Sequence, residues 1–200
     1  FVKDLTAPGS KLVTVAADEN ADVGVVFSKD GSLFAETNRS APNGRLVKFS
    51  LHAPEQWQDV IPESDHVLNV SAAGGQFFAE YMVDVISQVK QFSVDGELVR
   101  EIALPGPGDA AGFSGKASDT TVYYTFDSYS TPSTLLKLDI SSGSSSIYRV
   151  SKAPFDSDAY VSKQIFYASK DGTQVPMIIT HRADLAADEP HPTILYGYGG

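Results

Sequence analysis

The chain has 200 residues and a formal net charge of −10, with 15 lysines and arginines against 25 aspartates and glutamates. This acidic balance argues against binding to nucleic acid or to an anionic membrane, because both ligands select for a basic surface. The sequence contains no cysteine, which excludes disulfides, a thiolate zinc site and a cysteine nucleophile.

Two apolar strand patterns recur along the chain, and consecutive copies of the first are 44 and 45 residues apart. Glycines, prolines and aspartates that favour tight turns recur in step with them. The first pattern lies at residues 33–38, 77–82 and 122–127, and the second at residues 46–49, 89–92 and 135–138. Four short strands in every ~40–45 residues is the period of a β-propeller blade.

The repeat divides residues 23–152 into three four-stranded units with boundaries near residues 65 and 109, and residues 1–17 supply two outer strands of an earlier unit. We therefore predict an all-β portion with about three and a half blades of a propeller. A β-sandwich with a meander of short strands is the alternative. A sandwich, however, has no reason to keep its strands and turns in phase over three periods.

After residue 152 the rhythm ends, and a different domain is predicted. Residues 164–168 and 175–180 are alternating apolar strands on either side of an Asp-Gly turn, which predicts a hairpin. A polar connection with a helical turn at residues 183–187 follows, and then a buried strand at residues 193–195. This order is typical of the start of an α/β domain, so we predict that residues 1–152 and 153–200 belong to separate domains.

The glycine-rich stretch that follows the last predicted strand contains the candidate functional residue, Tyr198. Glycine permits close approach to the main chain, and the tyrosine hydroxyl is a hydrogen-bond donor. In an α/β-hydrolase the loop after the third strand supplies a donor to the oxyanion hole. A tyrosine that only packs at the end of a strand is the alternative. The four histidines show no metal-ligand spacing, and we expect neither a metal nor a cofactor.

Several segments resemble the prolyl oligopeptidase family of serine peptidases, and the most specific of them is Tyr-Gly-Tyr-Gly-Gly at residues 196–200. The others are Thr37-Asn38-Arg39 with Pro42, Phe113-Ser114-Gly115, residues 128–132, residues 169–177 and His191-Pro192. The resemblance covers essentially the whole chain. It implies part of a seven-bladed propeller followed by the first strands of an α/β-hydrolase domain, with the substrate cavity between the two.

The resemblance also implies a function, a serine endopeptidase that hydrolyses short peptides on the carboxyl side of proline while the propeller excludes folded proteins. Tyr198 matches the family's oxyanion-hole tyrosine, and the serine, aspartate and histidine of the triad would follow residue 200. We expect proline-containing oligopeptides as partners, a monomer, and a cytoplasmic or periplasmic location. Two alternatives stay open: a non-catalytic propeller that binds a ligand or a protein, and a related oligopeptidase of different specificity.

Overall fold

A computed structural model describes residues 1–17, 20–154, 156–186 and 189–197. Within these residues the chain forms fourteen strands and one single-turn 3-10 helix, Ser157–Ala159. The strands are β1 (Val23–Lys29), β2 (Ser32–Thr37), β3 (Arg45–Ser50), β4 (Ala53–Ile61), β5 (Leu68–Ala73), β6 (Gln76–Val83), β7 (Ile86–Phe92), β8 (Leu98–Ile102), β9 (Asp109–Ala111), β10 (Thr121–Asp127), β11 (Thr134–Asp139), β12 (Ser145–Val150), β13 (Tyr160–Ala168) and β14 (Gln174–Arg182).

Twelve of the strands form three antiparallel sheets of four, each in chain order. The first sheet is β1–β4, the second β5–β8 and the third β9–β12. The two recurring sequence patterns fall on the two central strands of each sheet, β2 and β3, β6 and β7, and β10 and β11. The predicted four-stranded repeat is therefore confirmed.

The hydrophobic core lies between the faces of consecutive sheets. Successive side chains of β6 point to opposite faces of the second sheet. Phe77 therefore packs in the cluster shared with the first sheet, and Phe78 packs in the cluster shared with the third. In the second of these clusters, Phe113 stacks between Phe78 and Tyr124 with ring centroids 5.6 and 4.4 Å apart. Four-stranded meanders stacked face to face are the arrangement of propeller blades.

Residues 1–17 form less strand than predicted. They contain one antiparallel bridge, in which the amides of Val2 and Val13 donate to each other's carbonyls at 2.9 and 2.8 Å. The predicted outer strands have no inner strands of the same sheet to pair with among the described residues, so the β-ladder does not extend beyond this bridge. Val15 nevertheless packs on the first sheet beside Trp57, and so covers part of its outward face.

The predicted hairpin is confirmed as β13 and β14, which pair without interruption from Tyr160 and Arg182 to Ala168 and Gln174. Beyond it, the predicted helical turn is a single hydrogen-bonded turn, from the Leu185 amide to the Arg182 carbonyl, over the residues that the structure describes. Residue 187 lies outside them.

The strand predicted at residues 193–195 does not form. Residues 191–197 are irregular, and Ile194 is 94% exposed. A buried strand needs neighbours to satisfy its amides and carbonyls, and no described strand pairs with this segment. The described residues contain no α-helix, so the α/β-hydrolase part of the fold stays a prediction. None of them forms a helix with the length and hydropathy to cross a bilayer.

Candidate functional site

The hairpin β13–β14 lies beside loops of the second and third sheets. An open cavity of about 550 Å³ is lined by residues of these loops and of the hairpin. The Gln164 side-chain amide on β13 donates a hydrogen bond to the Asp84 carbonyl in the β6–β7 turn. The cavity is lined by Met82, Val85, Ile86, Pro107, Gly108, Asp109, Asp127, Ser128, Tyr129 and Ile178. It is thus bounded by both sheets and by the hairpin.

The β6–β7 turn forms one wall of this cavity with an unusual backbone. Asp84 and Val85 lie between the paired residues Val83 and Ile86 and have φ angles of +47° and +66°. A β-branched residue is rarely found in this left-handed region, and such a conformation costs about 1–3 kcal/mol. The Val85 side chain is 56% exposed. The chain therefore keeps an apolar side chain at the cavity wall in a strained position.

Two aspartates form the acidic part of the lining. Asp109 and Asp127 are direct cross-strand partners on β9 and β10, on the face opposite to buried Ala110 and Phe126. Directly opposed side chains have their Cβ atoms about 5 Å apart, and like charges there are destabilising. Ser87 Oγ donates to Asp109 Oδ1 at 2.8 Å and so fixes the orientation of that carboxylate.

Two glutamates at equivalent positions of the repeat, Glu36 on β2 and Glu80 on β6, are partly buried. Glu36 accepts a 2.6 Å hydrogen bond from the Val70 amide of the next sheet. Glu80 accepts from Ser71 Oγ at 3.3 Å. Burial, assisted by the charges of Asp109 and Glu36, raises the pKa of Glu80 to about 7. Burial likewise raises the pKa of Glu36.

The structure does not place the candidate residue Tyr198, which lies outside the described residues. The part of the chain that is described contains no hydrogen bond between a serine hydroxyl and a histidine ring. His181 and His191 instead contact the carbonyls of Arg182 and Ala186 at 2.8 and 2.7 Å. Among the residues that the structure describes, these histidines are therefore not paired with a serine for nucleophilic catalysis.

Sequence reasoning missed the cavity-lining residues. The pairing of Asp109 with Asp127 depends on strand register, although both lie at strand ends where the repeat pattern could have drawn attention to them. Val85 gave no signal, because the turn in which it lies contains neither glycine nor asparagine.

Residues 1–151 match the family model described as the prolyl oligopeptidase N-terminal β-propeller domain. The chain belongs to the prolyl oligopeptidase family. It is 43% identical to the prolyl endopeptidase of Elizabethkingia miricola and 42% identical to that of Elizabethkingia meningoseptica, over 202 aligned residues in each case. Both alignments cover 100% of this chain, which spans 28% of the length of each relative.

Solved structures agree with the family assignment. A prolyl endopeptidase from a study of inter-domain dynamics in catalysis superposes with a TM-score of 0.79 at 35% identity, over 93% of this chain and 28% of that one. Prolyl oligopeptidase B from Galerina marginata, without ligand, gives a TM-score of 0.80 at 26% identity, over 89% of this chain and 26% of that one. The three sheets thus correspond to a portion of a prolyl oligopeptidase propeller.

Proposed function

We propose that this chain is part of a serine endopeptidase that hydrolyses short peptides on the carboxyl side of proline. The observation that carries the proposal is the 43% identity to a prolyl endopeptidase over the full 200 residues, which includes the hairpin and the glycine-tyrosine stretch as well as the sheets. The substrates are proline-containing oligopeptides. The protein works as a monomer in the cytoplasm or periplasm.

Within this proposal, residues 1–152 are the C-terminal half of the propeller and residues 153–200 begin the α/β-hydrolase domain. The change from four-stranded meanders to the isolated hairpin β13–β14 supports this division. The cavity beneath the hairpin then lies at the junction of the two domains. The serine, aspartate and histidine of the triad belong to the part of the protein that follows this chain.

Tyr198 supplies the oxyanion hole with a donor. Its hydroxyl hydrogen-bonds the oxygen that becomes negatively charged in the tetrahedral transition state. The ground-state carbonyl gains less from the same donor, so the interaction accelerates acylation more than it tightens substrate binding. The glycines on both sides of Tyr198 leave room for the scissile peptide to approach the main chain.

The test is steady-state hydrolysis of a chromogenic peptide with proline before the leaving group, by the full-length protein and by its Tyr198→Phe variant. The full-length protein should release the chromophore, and the variant should lose about 10²–10³-fold in kcat with little change in KM. Far-UV circular dichroism of the variant checks that the fold is kept.

Tyr196→Phe is the matched control, because it removes the same hydroxyl two residues earlier from a side chain that is exposed. Failure of the full-length protein to cleave any proline-containing peptide would overturn the proposed activity. An unchanged kcat in Tyr198→Phe would refute only the role of Tyr198 as an oxyanion-hole donor and would leave the proposed activity standing.

A further inference from the structure

We infer that the cavity beneath the hairpin is a specificity subsite for oligopeptides that carry a basic residue, with Asp109 and Asp127 binding the cationic group. The inference rests on the proposed function and narrows its substrate class to peptides in which a lysine or arginine accompanies proline. It follows from the lining of the cavity, from its size and from the unusual position of its two carboxylates.

The apolar part of the lining suits the stem of a long side chain. Met82, Val85, Tyr129 and Ile178 come from three different parts of the fold and all face the cavity. Met82, Val85 and Tyr129 are large apolar or aromatic side chains that are largely exposed. Lysine and arginine pack their methylene stems on such surfaces while their charged ends stay near water.

The charged part of the lining suits the end of the same side chain. Asp109 and Asp127 are directly opposed across β9 and β10, where an isolated pair of carboxylates repels. No ion pair joins either of them to a basic side chain among the residues that the structure describes. A cation bound between them would remove the repulsion, which is charge complementarity of the kind that sets specificity.

The size of the cavity favours a peptide over a folded partner. A volume of about 550 Å³ lies within the range of ~300–1,000 Å³ that is typical of sites for small ligands. Ser87 Oγ holds the Asp109 carboxylate at 2.8 Å and accepts from the Ala110 amide at 3.0 Å. The carboxylate is thus oriented before a ligand arrives.

The test uses equilibrium binding of dye-labelled peptides to the full-length protein, measured by fluorescence anisotropy. The peptides are acetylated, contain one proline and differ only in one upstream residue, which is lysine, glutamine or glutamate. The lysine peptide should bind about threefold to fivefold more tightly than the glutamine peptide for each aspartate that contributes, and the preference should fall as salt is raised.

Asp109→Asn and Asp127→Asn should each reduce the preference for lysine over glutamine, and the double variant should abolish it. Asp30→Asn is the matched control. It removes one negative charge from an exposed turn whose φ of +50° asparagine tolerates, and it should leave the preference unchanged.

Equal binding of the lysine, glutamine and glutamate peptides would overturn the inference, as would a lysine preference that survives in the double variant. If the aspartate substitutions lower thermal stability and leave peptide preference unchanged, the carboxylates bind a basic segment of the same protein and the subsite is refuted.

The anisotropy measurement reports binding and does not require turnover of the peptide. A protein that hydrolyses proline peptides without charge preference would therefore refute the subsite alone, and one that prefers the lysine peptide without cleaving it would refute only the activity.

Discussion

Glu80 is a carboxylate whose protonation is coupled to folding. Burial is the largest cause that raises its pKa from 4.5 to about 7, and the charges of Asp109 and Glu36 add to it, while hydrogen bonds from Asn69 and Ser71 act in the opposite direction. The folded state therefore holds this proton more tightly than the unfolded chain does. The stability that the bound proton contributes is fully present below about pH 4.5 and is lost as the pH rises through about 7.

Glu80→Gln should remove this part of the pH dependence. The full shift corresponds to about 3 kcal/mol, and partial exposure to solvent reduces the expected effect to about 1–2 kcal/mol. Urea unfolding at pH 5 and pH 8 measures the change. Wild type should lose about 1–2 kcal/mol more than the variant between these pH values, because glutamine keeps the shape of the side chain and cannot ionise.

Glu55→Gln on β4 is the control, since this glutamate is exposed. Its unfolding free energy should follow that of wild type at both pH values. Parallel pH profiles for wild type and Glu80→Gln would show that solvent reaches the Glu80 carboxylate freely, contrary to the burial seen in the structure.

Among the elements, the tight turns differ in how well their residues suit their backbone. The β1–β2 turn places Asp30 and Gly31 at φ values of +50° and +75° between the paired residues Lys29 and Ser32. The β6–β7 turn makes the same two-residue connection with Asp84 and Val85. Two positive φ angles in succession favour Asn-Gly or Asp-Gly, so only the first turn has the preferred sequence.

Val85→Gly should therefore stabilise the protein by about 1 kcal/mol, because glycine adopts a positive φ without a clash of its own. The melting temperature and the urea midpoint measure the gain. Gly31→Val is the converse variant and should destabilise by about 1–3 kcal/mol, since nothing lies within 4 Å of the added Cβ and only the backbone opposes it. A loss of stability in Val85→Gly would mean that apolar contacts of Val85 outweigh the strain.

The same elements show which parts of the fold could be predicted from the sequence. Strands β2, β3, β6, β7, β10 and β11 were predictable because alternation with period 2 and the adjacent turn residues are local properties. The offset of the repeat predicts two outer strands within residues 1–17, and a short apolar run predicts a strand at residues 193–195. Their pairing depends on partner strands, which the pattern does not report.

The cavity was less predictable than the sheets for a related reason. The register of β9 against β10 brings Asp109 opposite Asp127, and a shift of β9 by one residue would move Asp109 to the core face and leave Asp127 without this partner. The presence of Ile178 and Val85 in the lining of one cavity depends on how the hairpin lies against the second sheet. Both are long-range features. The resemblance to a known family identified Tyr198, and its position stays a prediction.

At the scale of the whole molecule, the outward face of the third sheet is aromatic and uncovered. Tyr123 and Tyr148 make an edge-to-face contact with ring centroids 4.9 Å apart, and Tyr148 is 60% exposed. The corresponding face of the first sheet differs, because Val15 and Trp57 pack over part of it. A propeller blade buries both faces against its neighbours, so we expect another sheet to cover these tyrosines in the full-length protein.

The isolated 200-residue chain should consequently self-associate through this face, because exposed apolar patches favour association. Sedimentation velocity over a concentration series measures the effect, and Tyr148→Ser should lower the fraction of oligomer. Leu98→Ser is the control, since Leu98 is an exposed apolar residue of β8 in the second sheet. Tyrosine nitration at concentrations where the isolated chain is monomeric gives the complementary measurement: Tyr148 should react in the monomeric chain and be protected in the full-length protein. Equal reactivity in the two would show that no further sheet packs on this face.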